Sequence, residues 1–511
     1  MLGNFFRCHG RAAFLASSFA GLFASACSIT PVPLTHEQLQ EITVTNTTRV
    51  TADQEPVQRA ISLHEAMARA LKYNLDHKVE ILQTQLRSTE LQLAHYSMLP
   101  NAAVNSGYVA RNNEQATGQR NLVTGVESPP RTVSHDRATT VADLTFSWNI
   151  LDFGLSYVRA HQAADKVLIA EEAKRKVMNR IIEDTRTAYW RAVSSDRLVQ
   201  KLKTLEVRAK TAQANARKLT STKETSPIAS LTYERELIEI KRTAQQLQND
   251  LSVAKTQLAA LMNLAPGTEF SLSGDDIGAT PPVFDVNSAE AIAVALLNRS
   301  ELRDIAYQSR INQREAQAAL LELLPGLQIY AGGNYDSNSF NAHKEWVSWG
   351  AKASWNVIRL FQYPAKRAVI QGQDKLLDAR ALALTLAVMT QVHVSRVRYH
   401  NMAQELATAR EYLDVQTRLV TQMRREAAAD RISEQTLIRE ELNTLVAEAR
   451  RDIAYSASQT AFANIFASIG LDPYASDVDL TVSVKDLTAQ IKALWFERGD
   501  FGAHRKIMVA R

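Results

Sequence analysis

Two cysteines, 13 prolines and 18 glycines are all that the 511 residues contain of each. Two cysteines, one of them Cys8 close to the start, exclude a disulfide framework. So little Gly and Pro disfavours a fold of many short strands joined by tight turns and favours long helices. After Cys27 no run approaches the roughly 18 consecutive apolar residues of a transmembrane helix, so any membrane crossing by this chain must use strands. There is no glycine-rich phosphate loop, no HExxH and no CxxC pair, so no catalytic residue, cofactor or metal ligand is predicted, and the chain reads as no enzyme. The formal net charge of +5 is spread along helices without a basic stripe interleaved with aromatics, which excludes nucleic acid as a partner. His393 and His400 read as decoration of a helix face, and Glu440-Glu441 and Arg424-Arg425 as solvated helix surface.

What the chain does have is itself, twice. Glu65, Ala66, Ala70 and Leu71 recur 225 residues on as Glu290, Ala291, Ala295 and Leu296, and Leu99-Pro100 and Gly107 recur as Leu324-Pro325 and Gly332. Further along the offset falls to 207: Ser147-Trp148-Asn149 matches Ser354-Trp355-Asn356, Ser226 matches Ser433, and Pro266 matches Pro473. The copies therefore differ by 18 residues somewhere between Pro100 and Trp148. Solenoid units run about 20–50 residues. This is half a protein duplicated.

Residues 1–26 read as a signal peptide: Arg7 and Arg11 without an acid, then only apolar and small residues from Ala12 to Ala26. Ala24-Ser25-Ala26-Cys27 resembles a bacterial lipoprotein cleavage site, with Ala24 where Leu is usual. Lipidation at Cys27 is the expectation, and Ser28 rather than Asp implies sorting to the outer membrane; ordinary cleavage at the A-x-A-like site is the alternative. Residues 27–61 are expected to be extended.

Each copy reads helix, hairpin, very long helix, turn, helix: residues 62–266, then a connector at 267–287 and a second copy at 288–473. Leu63 to Met98 lacks Gly and Pro, and Ser62 with Glu65 reads as a capping box. Pro100 stops that helix, as Pro325 does in the second copy. The period then becomes two. Over the first hairpin, about 101–150, Leu144, Phe146 and Trp148 alternate with Asp143, Thr145, Ser147 and Asn149. Over the second, about 326–358, Val347, Trp349 and Trp355 alternate with Ser348, Lys352 and Asn356. Ala102, Val104 and Tyr108, and Leu327, Ile329 and Tyr335, mark the same face on the incoming strands. Strands of about ten residues with one apolar face, one polar face and aromatics near the ends look like outer-membrane barrel strands, with Leu144, Phe146, Trp148, Val347, Trp349 and Trp355 towards lipid. A soluble half-buried sheet would alternate likewise. Four strands cannot close, since a small barrel needs about eight, so several copies of the chain must share one barrel. The polar loop around Arg111 to Arg137 holds the extra residues and is expected outside the cell.

The long helices, about 155–223 and 373–427, are rods of roughly 100 Å at 1.5 Å per residue. In the second, Val388, Val392, Ser395, Tyr399, Met402, Leu406, Ala409, Leu413, Gln416, Val420, Met423 and Ala427 step by four and three, a left-handed coiled-coil period. In the first, the seam runs Ile181, Thr185, Ala188, Ala192, Ser195, Val199, Leu202, Glu206, Ala209, Gln213, Ala216 and Thr220, small enough for close packing into a wall. The rods turn at residues 220–227 and 427–433. From Tyr474 the pattern is lost; residues 474–511 read as a tail, mobile from Arg498 on.

This ordered series, in two copies from about residue 60 to 473, resembles the TolC-like outer-membrane factor family, lipoprotein type. The resemblance implies a mainly α fold with a transmembrane β-barrel contribution: a homotrimer whose four strands per chain build a twelve-strand barrel in outer-membrane lipid, continued by a periplasmic α-helical coiled-coil tube. It implies docking of a periplasmic adaptor at the tube tip and, through it, an inner-membrane pump or ABC transporter. Ser226, Leu231, Ser433 and Ile438 fit the family's tip pattern, but the Gly usual there is missing from both turns. Lys223, Glu224, Asp430 and Arg431 are candidates for charged rings at the periplasmic aperture, where three copies would set ion selectivity or latch the tip. The implied function is a passive export duct, for small-molecule efflux; the channel of a type I protein secretion system, or a non-conducting scaffold spanning the periplasm, are the alternatives.

Overall fold

The computed structural model describes residues 31–221, 227–274, 287–429, 431–471 and 478–499. Two units are distinguished, Met1–Gln54 and Glu55–Arg511. The first contains helix α1 (His36–Val50) where an extended segment is expected. Local chemistry makes it helical: Thr35 and Gln38 form a complete capping box, with Oε1 of Gln38 accepting from Thr35 N at 2.9 Å. The hydroxyls of Thr43 and Thr47 donate to the carbonyls four residues back. No residue of α1 is buried.

The second unit realises the duplication. Its first copy runs α2 (Leu63–Tyr73), α3 (Leu75–Tyr96), β1 (Asn101–Ala110), β2 (Ala116–Arg120), β3 (Glu127–Val133), β4 (Ala138–Asn149), α4 (Ile150–Ser221) and α5 (Pro227–Leu261). The second runs α6 (Ser288–Asn298), α7 (Ser300–Leu321), β5 (Gly326–Asp336), β6 (Glu345–Ser354), α8 (Ile358–Ala428) and α9 (Glu434–Ile469), and α10 (Val484–Gly499) follows. Matching boundaries keep the sequence offsets: Tyr96 and Leu321 end the leading helices 225 apart, and Ser221 and Ala428 end the rods 207 apart.

Further departures from the sequence expectation each have an identifiable cause. The leading helix is broken at Asn74, extended at ψ 127°, whose side chain caps the N–H groups of Asp76 and His77. The second copy breaks at the equivalent Arg299, with no side-chain cap; there Nη1 donates 3.0 Å to Ala467 O, so tertiary contact holds the bend. At the first break His77 is buried with Nδ1 2.8 Å from Leu71 O, and burial lowers its pKa. Only half of the Ser62 capping box forms: Ser62 Oγ accepts from Glu65 N, while the Glu65 carboxylate pairs with Arg69 at 3.1 Å. The second rod starts at Ile358 instead of about 373 and carries Pro364 inside its second turn, giving up the one intrahelical N–H donor that proline lacks.

The tail departs from the expectation as well. Residues from Val484 form α10, which buries Val484, Leu487 and Ile491 in the cluster containing Met67, Leu71, Tyr189, Trp190, Leu258 and Met262. Both carboxylate oxygens of Glu55 accept from Val484 N at 3.1 Å, and Lys72 Nζ donates 2.8 Å to Glu55 and 2.6 Å to Val482 O. Lys72 holds the Glu55 carboxyl below its ordinary value of 4.5. A depressed carboxylate contributes stability above its unfolded pKa and loses it as pH falls through the folded value. Acidification below about pH 4.5 should therefore loosen α10 before the rods, read as faster hydrogen exchange at residues 484–491; Glu55→Gln should do the same at neutral pH. Beyond Gly499 the tail lies outside the described residues.

The predicted seams form. All twelve α8 seam positions are buried or half-buried, against α9, and the α4 seam is likewise covered from Ile181 to Gln213. The side chains of Ala216 and Thr220, at its far end, lie outside what the structure describes. A second cluster near the turns joins Leu198, Leu202 and Leu205 of α4 with Leu237 and Ile240 of α5 and Ile438 and Leu442 of α9. A third packs Val388, Val392 and Tyr399 of α8 on Phe462, Ile465 and Ile469 of α9.

Candidate channel wall, open edges and tip

β1, β4, β5 and β6 form one antiparallel sheet in the order β1-β4-β5-β6. The register puts the predicted apolar residues on one face: Val104 lies opposite Leu144, Leu144 opposite Gly333, and Gly333 opposite Val347. One row along, Ala102, Phe146, Ala331 and Trp349 align, and Trp148 faces Ile329. The opposite face carries Asn101, Ser147 and Tyr330, then Ala103, Thr145, Gly332 and Ser348, then Asn105, Asp143 and Asn334. Asn105 Nδ2 donates 3.0 Å to Asp143, Thr145 Oγ1 donates 2.9 Å to the same carboxylate, and Asn334 Nδ2 donates 2.8 Å to Ser348.

The exposures are inverted relative to a soluble sheet. Leu144, Phe146, Trp148, Val347, Trp349 and Trp355 are all exposed, Trp349 to 82%, while Asp143, Thr145, Ser147, Asn149 and Ser348 are half-covered. Trp355 lies just past β6, where its indole Nε1 donates 2.9 Å to Leu323 O. A water-soluble sheet hides its apolar face; this one shows it. Among the described residues nothing pairs with the outer edges of β1 and β6, so two rows of backbone donors and acceptors are open.

The rods repeat the theme. α4 is covered by α2, α3, α5, α7 and α9, whereas among the described residues α8 makes its main contacts with α6, α7 and α9. Its free side exposes Leu382, Leu386 and Met389, then Tyr412, Val415 and Leu419. α3 exposes Leu75, Val79, Leu82 and Leu86 at the same steps of four and three. Among the described residues these coiled-coil stripes lie bare.

The sequence matches no family model and no curated protein. The structure does match solved ones. An outer-membrane channel of Campylobacter jejuni, CmeC, superposes with a TM-score of 0.63 at 12% identity, over 86% of this chain and 94% of that one. The outer-membrane channel OprN gives 0.62 at 14% identity, over 83% and 95%. The open-state MtrE outer-membrane channel of Neisseria gonorrhoeae gives 0.61 at 12%, over 82% and 94%. The chain has the TolC-like outer-membrane-factor fold.

The predicted tip and aperture residues belong to the turns between each rod and its returning helix. Lys223, Glu224, Ser226 and Asp430 lie outside the described residues, as does Cys27 with residues 1–26. Arg431 is exposed and pairs 3.4 Å from Glu426 of its own rod. Leu231 is exposed on α5. Ser433 caps α9, its Oγ accepting from Thr436 N. Ile438 is fully buried, in the cluster with Leu202 and Leu237, so it offers nothing to a docking protein. The apolar side chain at this position serves the joint between the two helical hairpins instead.

The charges near the turns are not merely solvated. Glu441 is largely buried and is gripped by Arg208 of α4 and, at 3.0 Å, by Arg424 of α8. Arg197 with Asp452 and, at 2.9 Å, Lys201 with Glu448 continue the rungs between α4 and α9. Arg424 and Glu441 are the 207-offset equivalents of Arg217 and Glu234, which pair across the first hairpin. That offset was the available signal: a charge pair repeated at one spacing in both copies is a contact, not decoration. Glu441→Ala removes the acceptor shared by two partly exposed guanidinium groups and should cost about 1 kcal/mol, with protease cleavage near residue 430 rising first; unchanged cleavage and stability would mean the rungs carry nothing.

Proposed function

We propose that three copies of this chain join β1 of one to β6 of the next, closing three four-stranded sheets into a twelve-stranded barrel in a bacterial outer membrane. The observation that carries this reading is the inverted sheet: apolar side chains bare outside, Asn105, Asp143, Thr145 and Asn334 inside, both edges open. Lipid satisfies the first, a wet lumen the second and neighbouring copies the third. The free stripes on α8 and α3 find partners in the same closure, and the rods continue the lumen as a helical tube into the periplasm. An N-terminal lipid on Cys27 adds an anchor.

The assembly is a passive duct. It catalyses nothing and takes its energy from an inner-membrane pump reached through a periplasmic adaptor at the turns, where Leu231 is the exposed apolar contact. The cargo is small molecules. Deleting the gene should raise intracellular accumulation of dyes and antibiotics and leave the secreted proteins unchanged. Loss of one secreted protein with unaltered accumulation would instead make it a protein-secretion channel.

A further inference from the structure

The segment expected to be a polar loop, between Arg111 and Arg137, contains its own hairpin. β2 and β3 pair apart from the main sheet, with an irregularity between Thr117 and Gln119. At its end Leu122, Val123 and Val126 are 101%, 95% and 64% exposed. Their turn is built rather than slack. Asn121 Oδ1 accepts from Val123 N at 2.9 Å and Thr124 N at 3.1 Å, and Gly125 adopts φ +68°. Gly125 N donates to Asn121 O, Asn121 N to Val126 O, both at 2.9 Å, and Arg120 Nε donates 3.2 Å to Gly125 O.

The base is held as firmly. Asn338, in the short β5–β6 loop, is 2% exposed; its Oδ1 accepts from Asp136 N at 3.1 Å and its Nδ2 donates 3.2 Å to Ser134 O. Ser339 Oγ donates 2.7 Å to Asp136, and Thr140 N donates 2.8 Å to Ser337 Oγ. Arg137 pairs with Glu114 at 3.1 Å. The loop of the second copy thus clamps the arm grown on the first.

We propose that the apolar tip of this arm is an interaction surface whose partner is the same tip on the other two copies of the chain, so that three arms meet over the outer mouth of the barrel. The inference rests on the trimeric duct of the preceding section. Reach permits it. The eight residues from Ala116 to Val123 span about 26 Å at ~3.3 Å per residue, whereas a barrel of twelve strands about 4.8 Å apart and tilted about 40° has a radius near 12 Å. Composition selects it over lipid. Residues 111–137 contain no Trp, Tyr or Phe, the side chains that anchor at a membrane interface and that the sheet itself displays. Strand addition along β3 is blocked by Pro129 and Pro130, which lack the N–H donors an added strand needs. The apolar side chains of the arm are concentrated at its tip, and a three-fold axis brings three tips together.

The test is Leu122→Cys in the full-length protein in lipid, oxidised, with Val123→Cys as a second variant. Gln115→Cys at the arm's base and the unsubstituted protein serve as controls. The expected result is a disulfide-linked dimer on a denaturing gel for the two tip variants and none for the controls. Tip variants that are trimeric by mass yet stay unlinked after oxidation overturn the inference and leave the duct standing. Quenching by brominated lipid of a thiol-reactive fluorophore attached to the Leu122→Cys variant overturns it too, placing the tip in the bilayer. A mass that is not trimeric removes the duct reading and the inference with it.

Discussion

Trp349→Arg lowers the stability of the membrane-inserted protein by about 2–4 kcal/mol, the cost of a cation on the lipid face near the bilayer midplane. Trp349 lies within β6, aligned with Ala331 and Phe146 on the bare apolar face. In lipid the guanidinium has no water and no carboxylate beside it. The neighbouring Ser348 faces Gly332 and Thr145 on the polar side, so Ser348→Arg would project into the lumen of the proposed barrel and should cost less than about 1 kcal/mol. Urea unfolding of both variants in vesicles decides the matter. Equal losses for the two would mean that the sheet has no lipid face, and a larger loss for Ser348→Arg would turn the barrel inside out.

Gly470→Ala should cost about 3–5 kcal/mol, at the upper end of single substitutions. Gly470 ends α9 at φ +76°, where any side chain is strained by about 1–2 kcal/mol. A Cβ there would stand 2.8 Å from the Asn298 carbonyl carbon and 2.9 Å from Arg299 N, backbone atoms that cannot swing aside. The same joint is tied by Arg175, whose Nη2 donates 2.8 Å to Gly470 O, and by Arg299 on Ala467 O. The duplicated position is Asn263, also left-handed at φ 56°. Asn tolerates that conformation, so Asn263→Gly should change stability by no more than about 0.5 kcal/mol. Denaturant midpoints of the two variants measure the contrast; a Gly470→Ala protein as stable as Asn263→Gly would show that the joint yields.

What the sequence revealed is what repeats or alternates. The offsets fixed equivalent boundaries, strand parity put Leu144, Phe146 and Trp349 on one face, and the steps of four and three located the α8 seam. Parity and seam are set by a residue and its near neighbours, and the offsets by comparing one copy with the other. The breaks at Asn74 and Arg299 were missed because neither carries Gly or Pro; one is made by a side-chain cap, the other by a contact 168 residues away. The tail helix was missed because its apolar residues answer to a pocket formed by α2 and held by Glu55 and Lys72. The arm at Ala116–Val133 was read as loop because its strands are polar on both faces. The rungs between α4 and α9 were missed because a charge on a helix reads the same whether its partner is solvent or a neighbouring helix; Ile438 was misplaced because an apolar residue beside a turn reads the same whether it meets another protein or a neighbouring helix.

The central claim is a conducting trimer. Single-channel recording in a planar bilayer, with oligomeric mass measured on the same preparation, tests it most directly, using the intact protein and a variant with residues 116–133 replaced by a short turn. The account predicts a trimer with small, ion-biased openings that become larger or more frequent once the arms are removed. A trimer that stays electrically silent in both forms, even after the two turns near residues 223 and 430 are cut away, would contradict it.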